Sequence, residues 1–328
     1  MIRTSVIVVA LLTAAAACRG NSAVHSAAVI TDTSAAQLAA PPVAPAPAAA
    51  PAPAADSHDT LPRVPILEYH IVGTRDSRWS VQYDHFRAQL EMLYAHGYRP
   101  ITVAQLVDRA WDIPRGTRPI VFTFDDASPS QFSYVERNGT LEIDSTSAIG
   151  IWLDFHRKHP DWGNRATFCL LPAAAAGHAF FGDKGIDGQQ TAWRFRKVRY
   201  LAQQGFELCD HTLWHANLSL YSDEVVQEQI ARGSIAIDSA VPGYRVRTFA
   251  LPLGIWPKNR ALATAGAWRD PKTGRVTTYR FDAVLMVSGG SAPNPLDPRF
   301  DALKLPRIEV FGDVIERMLG ETKVASRR

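Results

Sequence analysis

Pro-Ile-Val-Phe-Thr-Phe-Asp-Asp, residues 119–126, is the stretch from which the fold can be read. Ile120, Val121, Phe122 and Phe124 make a short apolar run rich in β-branched and aromatic residues. Such a run predicts a strand buried on both faces, as in a parallel sheet. It stops at two adjacent carboxylates, Asp125 and Asp126. Neighbouring acids at the end of a buried strand repel each other and lose hydration, and a bound cation is the simplest compensation. The carboxyl ends of strands are also where α/β barrels and open α/β sheets place their sites. Taken alone, the dipeptide reads more readily as a solvated turn.

A second stretch changes that balance. Phe206-Glu-Leu-Cys-Asp-His211 predicts another strand, and His211-Thr-Leu-Trp-His215 follows it. If residues 211–215 form a helical turn, the two histidines share one face. The rival reading is a chance pair in a chain with ten histidines. One carboxylate with two imidazoles suits a catalytic divalent cation that keeps open positions for water.

Outward from these stretches, strand-like runs recur near residues 64–72, 165–171, 246–251, 281–287 and 305–310. Helical patterns near 145–158, 192–204, 222–240 and 312–320 alternate with them, and a helix with Phe86, Leu90 and Leu93 on one face ends before Gly97. Thr102 can cap a helix running toward Trp111. The alternation predicts an α/β fold of βα units around a parallel sheet that closes into a barrel. The chain has 328 residues, enough for one such domain, and its 46% hydrophobic content is ordinary for a globular protein. A net charge of +3 is too mild to argue for nucleic acid as a partner.

The first residues stand apart. Arg3 precedes an apolar stretch from Val6 to Ala17 that is short for a membrane span. It ends at Cys18 in a pattern that resembles a bacterial lipoprotein signal, with Ala15 where that signal usually has Leu. The expectation is export, with a lipid on Cys18 holding the protein to a membrane; a simple secretory signal is the alternative. Residues 19–61, rich in Ala and Pro, cannot bury enough surface to fold and read as an extended tether.

Thr123-Phe124-Asp125-Asp126 and His211-Thr212-Leu213-Trp214-His215 resemble the first two motifs of the polysaccharide deacetylases, the NodB-homology domain of carbohydrate esterase family 4. Arg165-Ala-Thr-Phe-Cys-Leu-Leu171 is similar to that family's second core strand, and Phe249-Ala-Leu-Pro-Leu-Gly254 to its third motif. The resemblance implies a distorted or incomplete (β/α) barrel as a single catalytic domain over residues 62–322, between the tether and a tail at 323–328. It implies one divalent metal, zinc before cobalt or nickel, held by Asp126, His211 and His215, with Asp125 as the catalytic base. It also implies N-deacetylation of a polysaccharide containing N-acetylglucosamine. Leu253 and Gly254 would supply backbone groups to the substrate.

Two departures from the common family pattern matter. No histidine follows His215, although the family usually places its proton donor near the C-terminus. Pro65-Ile-Leu-Glu-Tyr-His70 resembles the poly-N-acetylglucosamine deacetylase branch, which carries that histidine at the N-terminal side, so His70 is the expected acid. His85, His96, His156 and His159 belong to predicted surface helices, His178 to a Gly-rich loop, and His25 and His58 to the tether. Secondly, Ala250 stands where many relatives have an arginine that orients the base. Arg247 and Arg307 are the candidates to replace it, and Arg307 is preferred because a strand end can point into the site; a surface position is the alternative for both.

Cys169 and Cys209 lie in predicted core strands and are expected to be small buried apolar residues, a disulfide between neighbouring parallel strands being geometrically demanding. Trp214, Trp256, Phe132 and Tyr134 are potential sugar-stacking rings that more commonly pack a barrel rim. The rival activities are an O-acetyl esterase with the same site and a retired deacetylase that only binds glycans.

Overall fold

The computed structural model describes residues 61–173, 179–182 and 186–320. The expected signal with Cys18, the tether up to residue 60, His178 and the 323–328 tail lie outside these residues. The described chain opens with β1 (Ile66–Tyr69), β2 (Ile71–Gly73) and β3 (Ser80–Gln82), then α1 (Tyr83–Ala95), β4 (Tyr98–Ile101) and α2 (Val103–Asp108). The stretch that ends in the two acids is β5 (Arg118–Phe124), followed by a hairpin, β6 (Tyr134–Arg137) and β7 (Thr140–Ile143), and by α3 (Ala148–Lys158). Next come β8 (Thr167–Leu170), α4 (Arg194–Gln203), β9 (Glu207–Asp210), α5 (Asp223–Ala240) and β10 (Thr248–Ala250). A second hairpin, β11 (Ala265–Arg269) and β12 (Val276–Arg280), precedes β13 (Ala283–Leu285), β14 (Ile308–Glu309) and α6 (Val314–Leu319).

Local chemistry sets several helix starts. Thr102 and Gln105 form a reciprocal capping box on α2, while Ser147 and Ser222 accept from backbone amides at the starts of α3 and α5. α2 ends at Asp108, short of Trp111, because Arg109 takes a left-handed conformation that stops it.

The main sheet is parallel, in the order β13-β10-β9-β8-β5-β1-β14, with β4 added on β5. It curls until its ends meet. The segment leading into β14 touches β13 through a bridge between Leu285 and Leu305, backed by Met286 N to Leu305 O at 2.9 Å. The result is a distorted barrel with a loose seam, as expected.

Side chains alternate across each strand. Leu67, Tyr69, Phe122, Phe124 and Phe168 face outward into a core shared with α1, α3 and α4. Aromatic contacts there, such as Phe122 on Trp152 at 5.1 Å and Tyr69 on Phe86 at 5.2 Å, are each worth about 0.5–1.5 kcal/mol beyond their buried area. Ile66, Val121, Cys169, Cys209, Ala250 and Leu285 form the buried inner layer. Below it Glu207 accepts from Thr248 Oγ1 at 2.6 Å and Thr167 Oγ1 at 2.9 Å.

Four features differ from the sequence expectation. Cys169 and Cys209 are directly paired across β8 and β9 and form a disulfide, with Cα atoms 4.2 Å apart. Their shared register turns both side chains into the narrow barrel interior, so the bridge fills space that two separate side chains would otherwise pack. The β6–β7 hairpin lies after β5, where no strand-like run was expected. The β11–β12 hairpin and β4 also went unread; both hairpins are mostly exposed, so they carry little apolar signal.

Candidate active site

The inner face of β1 continues from Ile66 through Glu68 to His70, and that of β5 from Val121 through Thr123 to Asp125. Strand alternation would point Asp126 away from the barrel mouth. Instead Asp126 and Ala127 adopt φ of 73° and 49°, left-handed values that non-glycine residues take at a cost. That kink turns Asp126 into the same mouth as Asp125. Gln131, fully buried in the following loop, donates from its amide to the carbonyls of both His70 and Asp125 and ties the two strand ends together.

The two histidines come together by a route other than a helical face. Residues 212–214 form a turn in which Thr212 and His215 have φ of 70° and 64°. The carboxylate of Asp210 accepts from Thr212 N at 2.7 Å and from Ser234 Oγ at 2.6 Å, and Thr212 Oγ1 accepts from His215 N at 3.1 Å. These bonds close the turn and bring the imidazole centroids within 4.9 Å. The Nδ1 of His211 lies 2.8 Å from the Ala250 carbonyl and donates to it, which leaves Nε2 free to act as a ligand.

Nε2 of His211 lies 3.4 Å and Nε2 of His215 3.7 Å from Oδ1 of Asp126. Ligands about 2.0–2.2 Å from a tetrahedral zinc are separated by roughly 3.4 Å, so the spacing matches a shared ion. Asp126 Oδ1 and His211 Nε2 are both buried with no hydrogen-bond partner. Two orphaned buried donor atoms facing each other are what a cation would satisfy. Without an ion the charges compensate one another. His211 is pushed down by burial but drawn up to about 9 by the carboxylates of Asp125 and Asp126. His215 falls to about 4 through burial and the neighbouring His211 charge. Asp126 is held far below the usual carboxylate range, because His211 outweighs its burial.

Asp125 is paired differently. Arg307, with no exposed surface, meets it through a two-pronged contact, Nη1 to Oδ1 and Nη2 to Oδ2, each 2.8 Å. The guanidinium also donates to Thr123 Oγ1 at 3.0 Å and to the Met286 carbonyl at 2.5 Å. Burial alone would raise the Asp125 pKa, but the arginine holds it below the ordinary value. The small side chain at Ala250 is compatible with this arrangement, the arginine reaching the acid from the β14 side. Arg247 is elsewhere, bridging Asp108 at 2.6 Å and Asp282 at 2.5 Å near the surface.

Sequence reading missed Glu68. It is 1% exposed, and neither carboxylate oxygen has a hydrogen-bond partner. It lies 3.2 Å from Arg307 and 3.5 Å from His70 Nε2. One guanidinium faces two acids, and burial pushes Glu68 up to about 8, so Asp125 keeps the charge. A lone glutamate in a buried strand gives no signal until its partner on β14 is known. Glu68, His70 and Asp125 could also be read as a second cation site; the guanidinium already in contact with two of them opposes that by charge repulsion.

His70, Asp125, Asp126, His211 and His215 line one cleft of about 530 Å³, together with Leu253 and the unforeseen Trp79. His70 has 17% of its side chain exposed there, and burial lowers its pKa. Gly254 follows Leu253 in a tight turn, packed on Val287. Of the other aromatics, Phe132 and Tyr134 are core residues, and Trp214 is exposed outside the cleft. His85 pairs with Asp76, and His159 packs on Tyr94, both away from this mouth.

Comparison with known proteins bears on the same residues. The polysaccharide deacetylase family model matches residues 161–267, a span that includes His211 and His215 and begins after the two acids. A chitooligosaccharide deacetylase of Sinorhizobium fredii (strain NBRC 101917 / NGR234) is 33% identical over 82 residues, which are 25% of this chain and 38% of that protein. The fold is similar to that of the Streptococcus pyogenes deacetylase PplD, with a TM-score of 0.54 and 17% identity over 80% of this chain and 100% of that one. IcaB from Ammonifex degensii gives 0.52 and 18% over 79% and 96%. BC0361, a polysaccharide deacetylase from Bacillus cereus, gives 0.54 and 17% over 80% and 69%. With its barrel, its strand-end acids and its paired histidines, the chain carries a domain similar to the polysaccharide deacetylases of the NodB-homology type, the family model itself covering residues 161–267.

Proposed function

We propose that the protein is a metal-dependent hydrolase that removes N-acetyl groups from a polysaccharide containing N-acetylglucosamine. The observation that carries this reading is the convergence, in one cleft, of an arginine-held acid, a separate histidine and a three-ligand cation site. Asp126, His211 and His215 would hold the ion, zinc by the chemistry of the donors, and the ion would supply a Lewis acid for water and for the acetyl carbonyl. Asp125 is the base. Arg307 keeps its carboxylate ionised and fixes its plane, so that it accepts the proton of the attacking water. His70 faces the same space without belonging to the ligand set, and in its protonated form it donates to the leaving amine, which departs poorly as an anion. Glu68 beside it offers a carboxyl that can exchange a hydrogen bond with the imidazole. Leu253 and Gly254 border the substrate. A lipid on Cys18 would hold the domain to a membrane of the cell envelope through the tether.

The test is acetate release from chitooligosaccharides, poly-N-acetylglucosamine, peptidoglycan and acetylxylan, with bound metal measured on the same samples. Asp126→Ala should lose metal and activity together. Asp125→Asn should keep the metal and lose most turnover, and His70→Ala should lower amide turnover by about 10²–10⁴-fold while sparing an activated ester. Equal metal loss in the Asp125 and Asp126 variants would refute these roles. Release from acetylxylan alone would replace the amidase by an esterase.

A further inference from the structure

Trp79 has no part in the core, the proposed metal site or the proton transfers. It is 43% exposed, whereas Trp152 and Trp162 are 1% exposed. It forms part of the cleft wall beside His70, with ring centroids 4.8 Å apart and planes at 65°. Its position is fixed from several directions. Its carbonyl accepts from Ile71 N at 3.0 Å, and the next residue, Ser80, is buried and paired with Ile71 in the β2–β3 ribbon. The Arg78 guanidinium lies 4.8 Å over the indole and reaches Glu309 on β14 at 3.3 Å. A large apolar ring held in place at a cleft wall loses little conformational freedom when a ligand arrives. A pyranose suits it, since its C–H face is apolar and its rim carries hydroxyls, and Arg78 adds donors next to the indole.

Position within the cleft selects which part of a substrate is met. Trp79 adjoins His70, which in the function proposed above serves the leaving amine, and the cation ligands His211 and His215 flank the turn that follows β9. We infer that Trp79 is the stacking platform for the sugar ring that carries the leaving amine, a specificity-determining residue that selects saccharide amides and leaves the acetyl end untouched. The inference rests on the deacetylase reading for its direction, and on the indole's exposure and fixed setting for the contact.

Binding to the metal-loaded protein separates the two ideas. Calorimetry with the glucosamine tetramer, the deacetylated product, should show Trp79→Ala weakening affinity roughly tenfold and Trp79→Phe restoring most of it. Acetate affinity should stay within twofold of wild type. Steady-state acetate release from N-acetyl chitotetraose should show the same loss in KM with kcat little changed. If wild type releases no acetate while the tetramer still binds through Trp79, the platform stands and the deacetylase reading falls. The platform is refuted if wild type binds neither saccharide, if Trp79→Ala binds the tetramer within twofold of wild type, or if acetate affinity falls in step.

Discussion

Replacing Arg307 by Met tests the arrangement at its most heavily bonded point. The change keeps most of the side chain's volume and removes the guanidinium. Asp125 would lose both of its 2.8 Å partners while remaining 1% exposed, and the Met286 carbonyl would lose a donor. Breaking a buried pair from one side costs about 3–5 kcal/mol, because the surviving charge has no compensation. For a domain of this size each kcal/mol lowers Tm by roughly 2–4 °C, so a fall of about 10 °C is expected. Calorimetric and urea unfolding of the holoenzyme would measure it. Adding Asp125→Asn to the same chain removes the stranded charge, and should recover at least about 2 kcal/mol without recovering activity. Arg307→Lys should restore charge but not the fork, giving intermediate stability. A single-variant cost below about 1 kcal/mol, or a double variant no more stable than Arg307→Met, would show that the pair does not hold the acid.

Three further outcomes follow from other contacts. In Gly233→Ala the added Cβ would fall 2.3 Å from Asp210 Oδ1; the displaced carboxylate should cost about 1–3 kcal/mol and loosen the turn that joins His211 to His215, read as lower stability and weaker metal affinity in one titration series. Cys169→Ala with Cys209→Ala should lower stability by about 4 kcal/mol on the loop-entropy argument for a separation of 40 residues, and a wild type equally stable with and without reductant would count against a bonded pair. Glu68 binds its proton more tightly folded, near 8, than at its ordinary 4.5, so wild type should lose stability as pH rises between those values; Glu68→Gln should flatten that slope, and an unchanged slope would remove Glu68 as its source.

The sequence carried the apolar run of β5, its two terminal acids and the paired histidines, because each is a local pattern. Several helices were legible for the same reason, since Thr102 marks one start and Phe86, Leu90 and Leu93 mark the apolar face of another. What was hidden depends on contacts across the fold. Asp126 reaches the site only through a left-handed kink, and no residue type at that point announces it. The His211–His215 approach is set by Asp210 and Ser234 from the neighbouring helix, not by helical spacing. Glu68 and Arg307 meet because β1 pairs with β14 across the ends of the domain. The cysteine bridge likewise needed the register of β8 on β9.

The stacked barrel interior has a consequence for proton traffic. Beneath Asp125 and Glu68 lie Val121, Ile66 and the Cys169–Cys209 bridge, all at most 1% exposed, and below them the Glu207 cluster closes the floor. Thr123 is the polar group directly beneath Asp125, and its hydroxyl is engaged by Arg307 and by the Leu67 carbonyl, while the two acids face the cleft at the barrel mouth. A polymer lying across the mouth would cover that opening. A proton accepted there would then have its outlet within the cleft, and exchange with bulk water would resume when the polymer left.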